Sequence, residues 1–235
     1  MRLDKFISTT TTLSRAEAKK IIKKGILINN ILVKSPDYKV DEISDQVIVN
    51  GERLVYQEYI YIMMNKPKNV VSATEDAVEK TVVDILEEKD RIYKVFPVGR
   101  LDKDTEGLML LTNDGNLAHK LISPKKDVEK KYYVEVSGEL KEEHLSLVKE
   151  GLVIDEGYKC KSARLEALES SKVKSIANIY ITEGKFHQVK RMMKALGTTV
   201  TYLKRLSIGT LELDKNLKLG AYRYLTDKEI KNLNK

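Results

Sequence analysis

Gly99-Arg100-Leu101-Asp102-Lys103-Asp104-Thr105-Glu106-Gly107-Leu108 runs straight into Met109-Leu110-Leu111-Thr112 and stops at Asn113-Asp114-Gly115. The decapeptide is charged, and the tail after it is apolar and strand-like. Asn-Asp-Gly is a hairpin-turn signal, so the expected order is loop, buried strand, tight turn. A run of charges in front of a buried strand serves no packing purpose. It suits a loop that holds ionisable groups at the end of a rigid element.

The neighbouring segments predict the fold around that loop. Residues 59–64 read as a strand that Asn65-Lys66-Pro67 ends, because proline cannot continue a ladder. Residues 81–88 have helical spacing, and 116–122 follow the turn as a short helix. Residues 132–137, 162–167 and 173–182 read as strands, and 141–150 as an amphipathic helix before Gly151. A last helix is expected over 187–196, closed by Gly197. Strands and helices in mixed order, joined by turns rather than repeated crossovers, predict an α+β domain on a mixed, mainly antiparallel sheet.

The first 57 residues are organised differently. Ser14-Arg15-Ala16-Glu17 is a capping box, and the helix it opens, over about 15–24, ends at Gly25. Ala18, Ile21 and Ile22 fall on one side of that helix, while Arg15, Lys19, Lys20, Lys23 and Lys24 cover the rest. Short strand-like pieces follow at 26–28, at 31–33 after an Asn29-Asn30 turn, and at 46–49. Charge is uneven: residues 1–34 hold eight Lys/Arg against two acids, and residues 35–57 hold two against five. A basic half beside an acidic half fits a small module with one surface turned to a polyanion.

These pieces together resemble a known family. Gly-Arg-Leu-Asp followed by Asp-Thr-Glu-Gly-Leu closely resembles the catalytic-aspartate motif of pseudouridine synthases, within them the small-subunit rRNA (RsuA-like) branch. Asn65-Lys66-Pro67 resembles the family's first motif, which is chiefly structural. Glu129-Lys130-Lys131-Tyr132-Tyr133-Val134 resembles the segment carrying the active-site tyrosine. Only one of two adjacent strand tyrosines can face a pocket, and the register of the resemblance assigns that role to Tyr132. Glu183 to Met192 resembles the third motif, in which a basic residue, here Lys190, pairs with the aspartate. Lys204 to Gly209 and Leu219 to Arg223 match the C-terminal pattern. The opening Arg2-Leu3-Asp4-Lys5-Phe6, with the basic helix and hairpin, resembles an S4-type RNA-binding module. The resemblance therefore spans the chain: an S4-like module over 1–57 and a synthase domain over 59–235.

The resemblance implies chemistry without a cofactor. Pseudouridine formation breaks the N1–C1′ bond of a uridine, turns the base and rejoins it through C5, with no net redox change or hydrolysis. It needs one ionised carboxylate, here Asp102, which attacks the sugar or acts on C2′ through a glycal-like species. Burial would raise an aspartate pKa, and a nearby cation, Lys190, offsets that. Tyr132 would stack on the uracil and exchange a proton as C5 rearomatises. Because a stacked base is out of reach, the nucleotide must be extruded, with Arg100 filling its place or holding the flanking phosphate. Arg15, Lys19, Lys20 and Lys23 are the expected phosphate contacts of the basic helix, and Arg191 an RNA-facing residue. His187 is expected to pack or to touch RNA.

Composition narrows the alternatives. The chain has 235 residues, a formal charge of +7, one cysteine, three histidines and no tryptophan. A single cysteine forms no internal disulfide, and Cys160 is expected half-buried in a strand. The histidines lack metal-ligand spacing, so no metal is expected. No apolar run approaches membrane-spanning length and Met1–Lys5 lacks the apolar core of a signal peptide, so a cytoplasmic location is expected; the resemblance implies ribosomal RNA or a small-subunit assembly intermediate as partner, and a monomer is expected. Asp102 and Asp104, if extended, would share a face about 7 Å apart. That would suit a two-carboxylate glycosidase, but with no Trp and three Phe the chain lacks the aromatic lining of a sugar groove. The remaining alternatives are a large-subunit (23S) rRNA target and a non-catalytic RNA-binding assembly protein.

Overall fold

Ser14 caps its helix as the sequence requires: its hydroxyl accepts from the Glu17 amide, and the Glu17 carboxylate accepts from the Ser14 amide at 2.8 Å. The computed structural model describes residues 1–155 and 157–234, and these divide into two compact units. The first comprises Met1–Ile60 and Leu86–Val95. It contains α1 (Leu3–Thr10), α2 (Arg15–Lys24), β1 (Ile26–Ile28), β2 (Ile31–Val33), β3 (Val47–Val49), β4 (Glu52–Leu54) and the short α3 (Glu88–Arg91). The strands form an antiparallel sheet in the order β2-β1-β3-β4. Leu3, Phe6 and Ile7 of α1 and Ala18 and Ile22 of α2 close over Ile26, Ile28, Val47 and Val49. The apolar side of α2 is spent on this core, so its lysines face outward.

The second unit, Tyr61–Ile85 and Phe96–Lys235, carries the larger sheet. Its strands are β5 (Tyr61–Lys66), β6 (Phe96–Pro97), β7 (Glu106–Thr112), β8 (Lys130–Ser137), β9 (Val153–Ile154), β10 (Tyr158–Lys159), β11 (Arg164–Glu169), β12 (Lys174–Ile181), β13 (Thr199–Ile208), β14 (Leu211–Glu212) and β15 (Tyr222–Tyr224). Its helices are α4 (Gly115–Ile122), α5 (Glu142–Glu150), α6 (Gln188–Ala195) and α7 (Asp227–Asn234). The main sheet runs β11-β12-β8-β13-β7-β5-β15, with β14 on β13 and β6 on β7; β9 and β10 form a separate pair. All its pairs are antiparallel except β13 with β7. The architecture is α+β on a mixed, mainly antiparallel sheet.

That parallel pair explains one glycine. Gly107 has φ +102°, and a Cβ there would lie 2.2 Å from the Arg205 carbonyl oxygen. Only glycine lets β13 approach β7 so closely. Leu108 and Leu110 then pack with Val98, Leu117, Leu121, Ile208 and Leu211 in a core on one side of the sheet. The loop 98–105 sits at the start of this central strand.

Four expectations need correction. Asn113-Asp114-Gly115 is not a hairpin turn. Asp114 is the N-cap of α4, its carboxylate accepting from the amides of Asn116 and Leu117 at 3.0 Å each, because aspartate serves a helix start as well as a turn. Residues 81–87 form no helix, and Glu88 only opens the short α3. Thr81 and Asp84 bond as a cap would, but the Val82 amide goes to the Val71 carbonyl and the Val71 amide to Lys80, so the backbone is taken by a bridge. Cys160 is buried, not half-buried, and lies just past β10. Asp102 and Asp104 do not lie on an extended segment: the Thr105 amide donates to the Asp102 carbonyl at 3.0 Å and closes a turn.

Candidate active site

The loop before β7 is pinned largely through its backbone. Lys66, at the end of β5, is fully buried, and its ammonium donates to the carbonyls of Thr105 (2.9 Å), Pro67 (3.0 Å), Asp102 (3.1 Å) and Lys103 (3.4 Å). Ser72 exchanges two hydrogen bonds with the Leu101 backbone, and the Asn69 amide donates to Lys103. Burial lowers the Lys66 pKa to about 8, against the pull of the Asp104, Asp102 and Glu106 carboxylates. The loop therefore presents its side chains from a fixed frame.

Those side chains meet α6. Lys190 Nζ lies 3.0 Å from Asp102 Oδ2 and 2.6 Å from Asp104 Oδ1, so one ammonium bridges both carboxylates. Burial pushes the Lys190 ammonium down, but the bonds to Asp104 and Asp102 outweigh it and hold its pKa above the usual lysine value. For Asp104, burial acts upward, and Lys190 outweighs it to leave the carboxyl below its usual range. His187, the N-cap of α6, sits at φ +49°, stacks on Phe186 with ring centroids 3.8 Å apart, and brings Nε2 to 3.5 Å from Asp102 Oδ1. A non-glycine residue in left-handed backbone beside an ion pair is the kind of strain that accompanies functional sites.

Tyr132 lies on the inward face of β8 and lines, with Asp102, Lys190, Leu203 and Ile181, a small cavity of about 70 Å³. Tyr133 points away, bonded to Glu135 and edge-on to Tyr202. A wider cleft of about 730 Å³ shares Arg100, Asp102, Lys185 and His187 with that cavity. Arg100 is exposed at its edge and makes no hydrogen bond or ion pair among the described residues. Arg191 is already engaged, with Asp155 at 2.6 Å and the Phe186 carbonyl at 3.2 Å.

On α2, Arg15 and Lys19 reach the buried Asp4, at 3.2 and 3.9 Å. With Arg2 hydrogen-bonded to it, that carboxyl is held far below its usual range. Lys20 and Lys23 are exposed and without an ion pair among the described residues. So the structure brings Asp102, Tyr132, Lys190 and Arg100 to one site, while Arg191 is committed to Asp155. The four α2 cations Arg15, Lys19, Lys20 and Lys23 belong to the other unit. Sequence reasoning missed the Lys66 clamp and the His187–Asp102 approach. The signal for Lys66 was a lysine at the buried end of a strand. For His187 there was none in sequence, since the approach depends on a backbone conformation.

Among the described residues no group of three or more His, Cys, Asp and Glu is placed to hold a metal, and no helix is long and apolar enough to cross a membrane. The arrangement offers instead a carboxylate with a bridging ammonium, an aromatic wall and a free guanidinium.

Comparisons with known proteins supply the family. A family model, RNA pseudouridylate synthase, matches residues 60–195, and the S4 domain model matches residues 1–47. An uncharacterised RNA pseudouridine synthase of Bacillus subtilis is 47% identical over 235 residues, covering 100% of this chain and 98% of the relative. The ribosomal small subunit pseudouridine synthase A of Haemophilus influenzae is 38% identical, covering 99% of each chain. The ribosomal large subunit pseudouridine synthase B of Bacillus subtilis is also 38% identical, covering 99% of this chain and 95% of its own. A crystal structure of a pseudouridylate synthase superposes with a TM-score of 0.69 at 37% identity, covering 99% of both chains. With a family model across more than half its length and relatives aligned end to end, the chain belongs to the RNA pseudouridine synthases, isomerases that here carry an S4 domain at the N-terminus.

Proposed function

We propose that this protein converts one uridine of small-subunit (16S) ribosomal RNA to pseudouridine in the cytoplasm, with Asp102 as the reacting carboxylate and no cofactor. The observation that carries the reading is the Asp102–Lys190 pair at 3.0 Å, in a cavity whose wall is Tyr132. Lys190, its pKa held above the usual lysine value, keeps a positive charge 3.0 Å from the Asp102 carboxylate. Tyr132 offers a flat face to the base and a hydroxyl within the same cavity. Arg100, free at the edge, is available to occupy the space of an extruded nucleotide. Lys20 and Lys23 supply phosphate attraction that positions RNA without choosing sequence.

A large-subunit target is the second reading, supported by the large-subunit relative whose 38% identity equals that of the small-subunit one. The deciding experiment is tritium release from rRNA labelled at uracil C5, using wild type and Asp102→Asn. Release from small-subunit RNA by wild type alone is expected. Release only from large-subunit RNA would move the target, and release by Asp102→Asn would remove the carboxylate from the chemistry. No release from either RNA, free or in assembling subunits, would leave a non-catalytic RNA-binding protein.

A further inference from the structure

Lys130 is a buried cation without an ion-pair partner among the described residues. It is 8% exposed, and its ammonium has no hydrogen-bond partner among them either. It lies two residues before Tyr132 on the same face of β8, and Arg205 pairs directly with Tyr132 across β13. Arg205 is 3% exposed; its Nε donates to the Leu108 carbonyl at 2.9 Å, its Nη2 lies 4.0 Å from Met109 Sδ, and no carboxylate pairs with it among the described residues. Burial pushes the Lys130 ammonium down, and the charge of Arg205 pushes it further, against a smaller pull from Asp127 that Lys161 in part offsets.

Lys130 and Arg205 wall a cavity of about 300 Å³ together with Tyr132, Arg100, Lys161 and Lys185. Glu183 is the one carboxylate on that wall, and it is spent on the Tyr158 hydroxyl, the Gln188 amide and the Lys161 backbone. The Lys161 ammonium is tied to Asp127. Two desolvated cations side by side destabilise a fold unless an anion joins them. The volume suits a small ligand, and a guanidinium fork beside an ammonium suits a phosphate.

We propose that this cavity is a phosphate seat, in which Lys130 and Arg205 hold a phosphodiester of the RNA strand next to the nucleotide that faces Asp102 and Tyr132. The identity of the strand rests on the function proposed above, because a nucleotide in the Asp102 cavity carries a phosphate on each side.

The test uses the full-length protein, Lys130→Met and Lys130→Arg, with uridine, uridine 3′,5′-bisphosphate and inorganic phosphate as probes in calorimetric titrations and thermal melts. Wild type is expected to bind the bisphosphate at least ~10-fold more tightly than uridine. Lys130→Met should bind the two alike, and Lys130→Arg should keep the preference. Relief of the unpaired charge should also raise the Tm of Lys130→Met above that of wild type, with phosphate raising the Tm of wild type only. An equal loss of uridine and bisphosphate affinity in Lys130→Met would overturn the proposal, because the cations would then act on the base. Inorganic phosphate binding as tightly as the bisphosphate would overturn the assignment to an RNA strand. None of these readouts needs turnover. Failure of tritium release with the phosphate preference intact would therefore count against the proposed function and not against the seat.

Discussion

Lys66 reaches four backbone carbonyls with three protons, and this one side chain holds the frame on which Asp102 stands. Replacing it with methionine takes the ammonium from all four, leaving the Asp102 and Lys103 carbonyls only the amides of Thr105 and Asn69, and loosens the loop. Turnover of Lys66→Met should fall about 10²-fold, the cost of a displacement near 1 Å, with RNA affinity little changed; single-turnover kinetics and filter binding would separate the two. The lowered pKa adds a pH signature. The charged clamp is complete below about 8 and lost as pH rises through that value, so wild-type turnover should decline on the alkaline side from there. Stability moves the other way. The unfolded lysine keeps its proton up to its ordinary value of 10.5, so between about 8 and 10.5 the unfolded chain binds more protons and this group stabilises the fold as pH rises. Denaturant melts of wild type against Lys66→Met over that window should show the gain in wild type only. That Asp102, Tyr132 and Lys190 would come together at one cavity was legible, because each lies in a short recognisable stretch. Lys66 works through other residues' backbones, Lys130 through the absence of a partner, and neither leaves a local pattern to read.

Elements were legible where hydrophobic period and caps agreed. The helix at α2 and the strands β8 and β12 carry unambiguous signals, and they stand within a residue or two of expectation. Where one residue type serves two roles, the reading failed: Asp114 caps α4 where a turn was expected, and Thr81 with Asp84 makes a cap-like pair without a helix. The parallel pairing of β13 with β7 was invisible, since it joins strands nearly a hundred residues apart and only Gly107 hints at it. Its consequence is measurable. Gly107→Ala puts a methyl against the Arg205 backbone and an alanine at positive φ. The strained φ alone costs roughly 1–3 kcal/mol, and the clash adds to it. A chemical-denaturation midpoint well below wild type is expected, and an unchanged midpoint would mean that the two strands separate freely.

At the scale of the molecule, the charge asymmetry seen along the chain has a structural form: the cations of α2 project from a core that uses the helix's other side. Triple substitution Lys20→Ala, Lys23→Ala, Lys24→Ala should flatten the salt dependence of RNA binding, by about 0.7–0.9 in slope for each phosphate that is no longer neutralised. An unchanged slope would remove this face from the interface. Truncation after residue 57 is the poorer experiment, because the first unit also contains Leu86–Val95, a membership that no composition change announced. The bridge from Lys190 to the loop before β7 also sets an order in time. Asp104 and Lys190 are 86 residues apart in the chain, which the ribosome, at ~5–20 residues per second, takes roughly 4–17 seconds to make. β13, the strand that β7 and β8 share, is made after both. Until α6 is made and docks, the nascent polypeptide holds Asp102 and Asp104 without the Lys190 that bridges them, while the basic helix α2 has long since emerged. On the function proposed above, each newborn copy thus passes through an interval in which it can cling to RNA and cannot yet alter it.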